Sequence, residues 1–339
     1  MNRTFNYQIT EKNEAIRDFL QKKGYSRHIR TWIKQHPDSL ILNGTPVLSY
    51  VELHQGDQLA VHLKEEESSE KIIPTPLPLH IVYEDEDILI INKEADTPVH
   101  PSIGNYENTL ANAVAWYYAS QNKSFVFRCI NRLDRDTTGL LILAKNMLSG
   151  ALLSQQMKQR EIHRTYLSIV EGKIPEEGTI SAPIARTCDS LIERQVDWEK
   201  GEYAVTHYKR LSSLPHVPVA LASDLPKEGL SLVQLQLETG RTHQIRVHMS
   251  YLGHPLIGDT LYNPSTRLMK RQALHSYSLE FIHPITGKEM YFTAPLPPDM
   301  DLCNSSALRL NCIKIIKKKV PKFLVPSLIV IHSIFCILC

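Results

Sequence analysis

The spacing of apolar side chains changes character along the chain. Between residues 16 and 33, Ile16, Phe19, Leu20, Ile29, Trp32 and Ile33 recur at helical spacing, which predicts two short amphipathic helices broken near Gly24. Over 39–63 the pattern becomes β-rich, with Asn43-Gly44 in the middle; that pair turns a hairpin because both residues tolerate positive φ. Further on, strand-like runs at 88–92, 140–144, 165–171 and 232–237 are interspersed with helix-like stretches at 148–160 and 243–252. Strands and helices mix without a regular β-α-β period, so the expected fold class is α+β, built on a mixed and largely antiparallel sheet.

Changes in composition divide the chain. Residues 64–80, "KEEESSEKIIPTPLPLH", are a charge run followed by spaced prolines, the make-up of an exposed linker. They separate a small module (1–63) from a large one (81–301). The remainder, 302–339, has no acidic residue, six Lys or Arg between Arg309 and Lys322, and an uncharged apolar end of 17 residues. A membrane-spanning helix needs about 20 such residues, and Pro326, Ser327, His332 and Ser333 interrupt this one. An extension outside the functional fold is expected rather than a membrane anchor. No internal repeat is visible.

Charge and cysteine usage narrow the class. With 339 residues and a formal net charge of +2, nothing global marks a polyanion binder, so any nucleic-acid argument is local. The first module supplies one: seven Lys or Arg lie from Lys12 to Lys34, among them Lys22, Lys23, Arg27, Arg30 and Lys34, against Glu14 and Asp18. The six cysteines lack both the density of a disulfide scaffold and the paired spacing of a zinc site, and the N-terminus has no secretory leader. A cytoplasmic monomer is expected. There is no Walker or dinucleotide glycine loop, so no cofactor is expected.

Two segments carry chemistry. "NRLDRDTTGLLILAKN" (131–146) sets two arginines and two aspartates against a strand that must be buried; read alone, it is either a solvated charged turn or a reactive loop fixed by its strand. "LETGRTHQIRVHMSYLGHPLIGDTLY" (237–262) strings Arg241, His243, Arg246 and His248 around a short helix with Ile245, Met249 and Leu252 as its buried stripe. His243 and His248 are five apart rather than the four that puts two ligands on one helix face, and no Cys or acid completes a set, so no metal is expected. Arginines in this setting suit phosphate or carboxylate recognition.

Together these segments resemble the RluA-type ribosomal large-subunit pseudouridine synthase family. "NRLDRDTTG" is similar to that family's H-R-L-D-x-x-T-S-G motif, and "TGRTHQIRVH" with "LGHPLIGD" to a later one. "YEDEDILIINKEADTPVHPS" (83–102), "HRTYLSIVEG" (163–172) and "LHSYSLEFIHPITGKEMYFTAPLPPDM" (274–300) agree in the right order, so the resemblance runs from about residue 80 to 301. The basic helices followed by "LILNGTPV" resemble the RNA-binding domain first seen in small-ribosomal-subunit protein S-four.

The resemblance implies a catalytic domain with a central cleft, an isomerase, and RNA as partner: ribosomal RNA, with transfer RNA as the alternative. It makes Asp134 the nucleophile and Arg132 the side chain that fills the space of a flipped base. Tyr166 becomes the ring stacked on uracil, Ile245 a pocket wall and Arg246 the counter-charge of Asp134. Asn131 and Thr138 depart from the motif's His and Ser, neither at a carried-over catalytic position. Two rivals stand beside this reading: Asp134 and Asp136 as a hydrolytic carboxylate pair on a glycosidic bond, and a non-catalytic RNA-binding assembly factor.

Overall fold

The computed structural model describes residues 2–10, 14–66, 68–69, 71–190, 192–214, 229–264 and 268–300. The apolar end of the chain lies outside them. Residues Met1–Met300 cluster as one compact unit.

In its first part, β1 (Asn2–Gln8), β2 (Glu14–Ala15), α1 (Ile16–Lys22), α2 (Arg27–Gln35), β3 (Leu40–Leu42), β4 (Thr45–Pro46), β5 (Glu52–Leu53) and β6 (Gln58–Lys64) follow in order. The two helices break at Gly24, which has φ of 86°, and Ser26 caps α2 by accepting from the Ile29 N–H. Asn43 and Gly44, both at positive φ, close the β3–β4 hairpin. That hairpin is half of a four-stranded antiparallel sheet in the order β1-β6-β3-β4. The sheet packs Phe5, Leu40, Leu59 and Val61 against Ile16, Leu20, Ile29 and Ile33 of the helices.

The second part runs β7 (Ile81–Glu84), β8 (Ile88–Lys93), α3 (Leu110–Ala119), β9 (Thr138–Ala144), α4 (Met147–Lys158), β10 (His163–Glu171), β11 (Glu177–Ser181), β12 (Ile184–Arg186), β13 (Arg194–Val196), β14 (Val205–Leu214), β15 (Leu230–Leu237), α5 (Gln244–Tyr251), β16 (Leu274–Ile282) and β17 (Glu289–Thr293). Its nine-stranded sheet has the order β11-β14-β15-β10-β16-β9-β8-β7, with β17 on β16. The neighbours are antiparallel except β9 with β16, so the fold is the mixed, largely antiparallel α+β arrangement expected. At that parallel contact Gly139 is required: its φ is 108°, and a Cβ there would lie 2.2 Å from the Ser276 carbonyl oxygen.

The two parts share core. Leu148 of α4 belongs to the hydrophobic cluster of the N-terminal sheet, with Met147, Ala151 and Leu152 packed on it. Arg3 forms two hydrogen bonds with Asp87, at 3.0 and 3.1 Å. Residues 64–80 are anchored as well as exposed: Glu65 pairs with Arg128, the Ser68 and Ser69 hydroxyls accept from the Phe125 and Phe127 N–H groups, and the Thr75 N–H donates to the Asn112 carbonyl.

Candidate active site

Asp134 sits in the turn that feeds β9. Every residue of β9 is buried, so the turn is held by a strand that has no room to shift. Asn131, 3% exposed, pins it from the other side: its amide donates to the Leu140 carbonyl and its Oδ1 accepts from the Ile142 N–H. The Thr138 hydroxyl hydrogen-bonds His275 Nδ1 at 2.8 Å. The two departures from the family motif thus fall on residues that build the fold around the turn.

Arg246, on α5, reaches Asp134 with Nη1 at 3.1 Å. Its principal partner lies in the loop after α5, within "LGHPLIGD", at a position no motif role had marked. Asp259, fully buried, takes Arg246 Nε at 2.7 Å and Nη2 at 2.8 Å in a two-pronged pair. It also accepts from the Leu261 and Tyr262 N–H groups. The guanidinium lies 5.0 Å from the centre of the Tyr262 ring. Burial works against the Arg246 charge, but the hydrogen bonds and charges of Asp259 and Asp134 raise its pKa above the ordinary value. Gly258 makes this possible: its φ is 71°, and a Cβ would lie 2.0 Å from the Arg271 carbonyl oxygen. Arg246 is therefore fixed from behind and offers one free edge to Asp134.

Tyr166, on β10, is 3% exposed and shares a hydrophobic cluster with Ile245, Leu133 and Leu235. Burial raises its pKa above the ordinary phenol value. Arg132 is exposed. The structure thus sets Asp134 against Arg246, with Tyr166 and Ile245 in one apolar cluster with Leu133 of the same turn, and leaves Arg132 on the surface. Arg135 faces outward, paired with Asp136 at 3.1 Å. Asp136 itself is occupied by Arg135 and by the Asp96 N–H, so the two aspartates of the turn have different surroundings. Among the histidines, His248 is fully buried between Thr206 and the Ala182 carbonyl, a structural role.

Lys93 is a second residue that no motif argument picked out. It is 2% exposed, and its ammonium donates to the carbonyls of Glu94, Thr97 and Arg135 at 2.7, 2.9 and 2.7 Å. This ties the end of β8 to the Asp134 turn. Burial pushes Lys93 down to about 7, against the pull of Asp136 and Asp134. Lys93→Met is expected to cost about 3 kcal/mol, because three carbonyls lose their donor. Lys93 titrates at 10.5 as a free side chain. Between about 7 and that value the unfolded chain holds a proton that the folded chain has released, so this group favours folding more as pH rises. Melting temperatures of the two proteins should therefore diverge from pH 7 to 9.5; a constant gap would contradict the assignment.

The basic residues of the N-terminal helices fall into two groups. Arg27, Arg30 and Lys34 line one groove of about 320 Å³ together with Arg17. Lys22 and Lys23 lie at the far end of α1, beside Leu148 and Leu152 of α4, where Lys22 pairs with Glu14 at 2.9 Å.

An aspartate hydrogen-bonded to an anchored arginine thus lies beside an apolar cluster that holds Tyr166 and Ile245, at one end of a buried, mixed sheet. Comparison with known proteins gives the class. Residues 87–251 match the family described as RNA pseudouridylate synthase. A relative from Bacillus subtilis (strain 168), "Uncharacterized RNA pseudouridine synthase YjbO", is 42% identical over 287 residues, 84% of this chain and 96% of that one. The "Ribosomal large subunit pseudouridine synthase D" of Escherichia coli (strain K12) is 39% identical over 259 residues, covering 72% and 75% of the two chains. Among solved structures, "Human RNA Pseudouridylate Synthase Domain Containing 1" aligns with a TM-score of 0.53 at 25% identity, over 70% of this chain and 95% of that one. The chain belongs to the RNA pseudouridine synthase family and is an isomerase.

Proposed function

We propose that this synthase isomerises uridines of large-subunit ribosomal RNA with Asp134 as its nucleophile. The observation that supports this most is the hydrogen bond between Arg246 and Asp134, residues 112 apart in sequence that come from two separate motifs. In the reaction the bond from ribose C1′ to N1 of the base breaks, the base turns, and C1′ bonds to C5. The proton leaves C5 and N1 ends protonated, so atoms balance without a donor or an oxidant. Asp134 acts at the sugar or base, with Arg246 as its hydrogen-bonded counter-charge. Tyr166 stacks on the uracil, Ile245 walls the apolar pocket and Arg132 occupies the place the extruded base leaves. Extrusion costs a few kcal/mol and stacking returns about 1–3 kcal/mol per base, so Tyr166 roughly offsets it. Large-subunit RNA as substrate is supported by the relatives whose names state that specificity. Mapping pseudouridines in total RNA from cells with and without the gene tests it: loss of a site in large-subunit RNA is expected, and loss confined to transfer RNA would contradict it.

The N-terminal module is assigned to RNA binding of the S-four type, supported by the groove of Arg17, Arg27, Arg30 and Lys34. Substitution is the better probe than deletion, because Leu148 and Leu152 of α4 complete the module's core. Replacing Arg27 and Lys34 together by Ala should lower the slope of log affinity against log salt by roughly 1.4–1.8. An unchanged slope would remove the module from RNA binding.

A further inference from the structure

Between Val99 and Leu110 the chain leaves the core and returns to the same place. The Pro98 and Val99 carbonyls accept from the Leu110 and Ala111 N–H groups, which closes the base of the excursion. Within it, Ser102 and Asn105 pair through two backbone hydrogen bonds of 3.0 and 2.9 Å. The Asn112 amide holds the Tyr106 carbonyl at 3.0 Å, and a Thr109–Asn112 capping box starts α3. The result is a short, internally braced finger. Its place is set by its neighbours. The Thr97 N–H donates to the Arg135 carbonyl, Val99 shares a core with Leu133 and Tyr166, and His100 lies edge-on to Phe127 with ring centres 5.1 Å apart. The finger therefore stands beside the turn that carries Arg132 and Asp134, and burial, with the charge of Arg132 added to it, lowers the His100 pKa.

What the finger presents is unusual for a solvated loop. Ile103 is 93% exposed and Tyr106 61%, and Glu107 is its one acidic residue. A braced loop that holds an aliphatic and an aromatic side chain in water next to a site for an extruded base has the chemistry of a base-stacking contact, since every base offers a π-face and apolar wedges enter base steps.

We propose that this finger is a second RNA-contact element, in which Ile103 and Tyr106 stack on nucleotides flanking the target uridine and hold the opened strand while the base is turned. It rests on the assignment of the Asp134 cleft above. Both side chains are exposed, so Ile103→Ser and Tyr106→Ala should leave the melting temperature unchanged. On a structured transcript with the natural site, each should raise KM about 10-fold with kcat preserved, the size of one lost stacking contact. The same kinetics on transcripts carrying an abasic nucleotide immediately 5′ or 3′ of the target supply the decisive readout. The wild-type enzyme should lose affinity for at least one of them, and Tyr106→Ala should lose no more on that transcript than it has already lost. Unchanged KM in both variants, or losses that simply multiply, would overturn the finger while an inactive Asp134→Asn protein left the cleft assignment standing. An Asp134→Asn protein as active as wild type would overturn the cleft assignment, and the finger with it.

Discussion

Arg246→Met is expected to damage the protein twice. Removing the guanidinium leaves Asp259 fully buried with only the Leu261 and Tyr262 N–H groups to stabilise its charge. Breaking a buried ion pair by deleting one partner costs about 3–5 kcal/mol, a large share of the 5–15 kcal/mol by which a typical domain is stable. A clear drop in melting temperature should follow. Activity should fall further than stability alone explains, by about 100-fold or more under conditions where the variant is folded, because Asp134 loses the group that fixes its position. Arg246→Lys restores a charge but not the two-pronged contact with Asp259, so it should recover part of the stability and little of the rate. A variant with Met at 246 that melts and turns over like wild type would refute the anchoring role of Asp259.

The site shows where sequence reading stops. Asp134, Tyr166, Ile245 and Arg246 lie in motifs with a recognisable order, and the structure sets Asp134 against Arg246 and places Tyr166 and Ile245 in one apolar cluster. Asp259 stood in plain view in "LGHPLIGD", yet nothing along the chain says that it lies behind Arg246, since the pairing is made by the return of the loop after α5. The signal available was a lone acid following a glycine in an otherwise apolar stretch. Lys93 is harder still. Its partners are three backbone carbonyls, and a carbonyl leaves no mark in a sequence.

The fold was legible wherever one face of an element is buried and the other is not. The helices at 16–22 and 27–35, the Asn43-Gly44 hairpin and the strands at β8, β9, β10 and β15 follow from periodicity within a few residues. β1 is not legible from the alternation of Phe5 and Tyr7 alone, because its partner β6 is distant in sequence, with Gln8 opposite Gln58 and Asn2 opposite Lys64. α3 is nearly apolar all round, with Leu110, Ala111, Ala113, Val114 and Tyr118 buried, so it shows little helical stripe. The anchoring of 64–80 was not legible either. Its prolines and charges describe a solvated segment, while the Glu65–Arg128 pair depends on where residue 128 ends up.

Asp134→Asn carries the largest expected effect on the reaction. The amide keeps the size of the carboxylate and can still accept from Arg246, so the turn, the strand behind it and RNA affinity should be nearly unchanged. What is lost is the negative charge and the nucleophilic oxygen, and loss of a group that acts only in the reaction lowers turnover without weakening binding. Pseudouridine formation should fall by at least about 10³-fold. Asp136→Asn makes the matched control, since Asp136 is occupied by Arg135 and the Asp96 N–H and should cost only a few-fold in rate. The measurement is pseudouridine yield in a transcript containing the natural site, for wild type, Asp134→Asn and Asp136→Asn side by side, with each fold checked by thermal melt. No product is expected from Asp134→Asn and near-normal product from Asp136→Asn; a folded Asp134→Asn enzyme that modifies the transcript as wild type does would contradict the role of Asp134 as nucleophile.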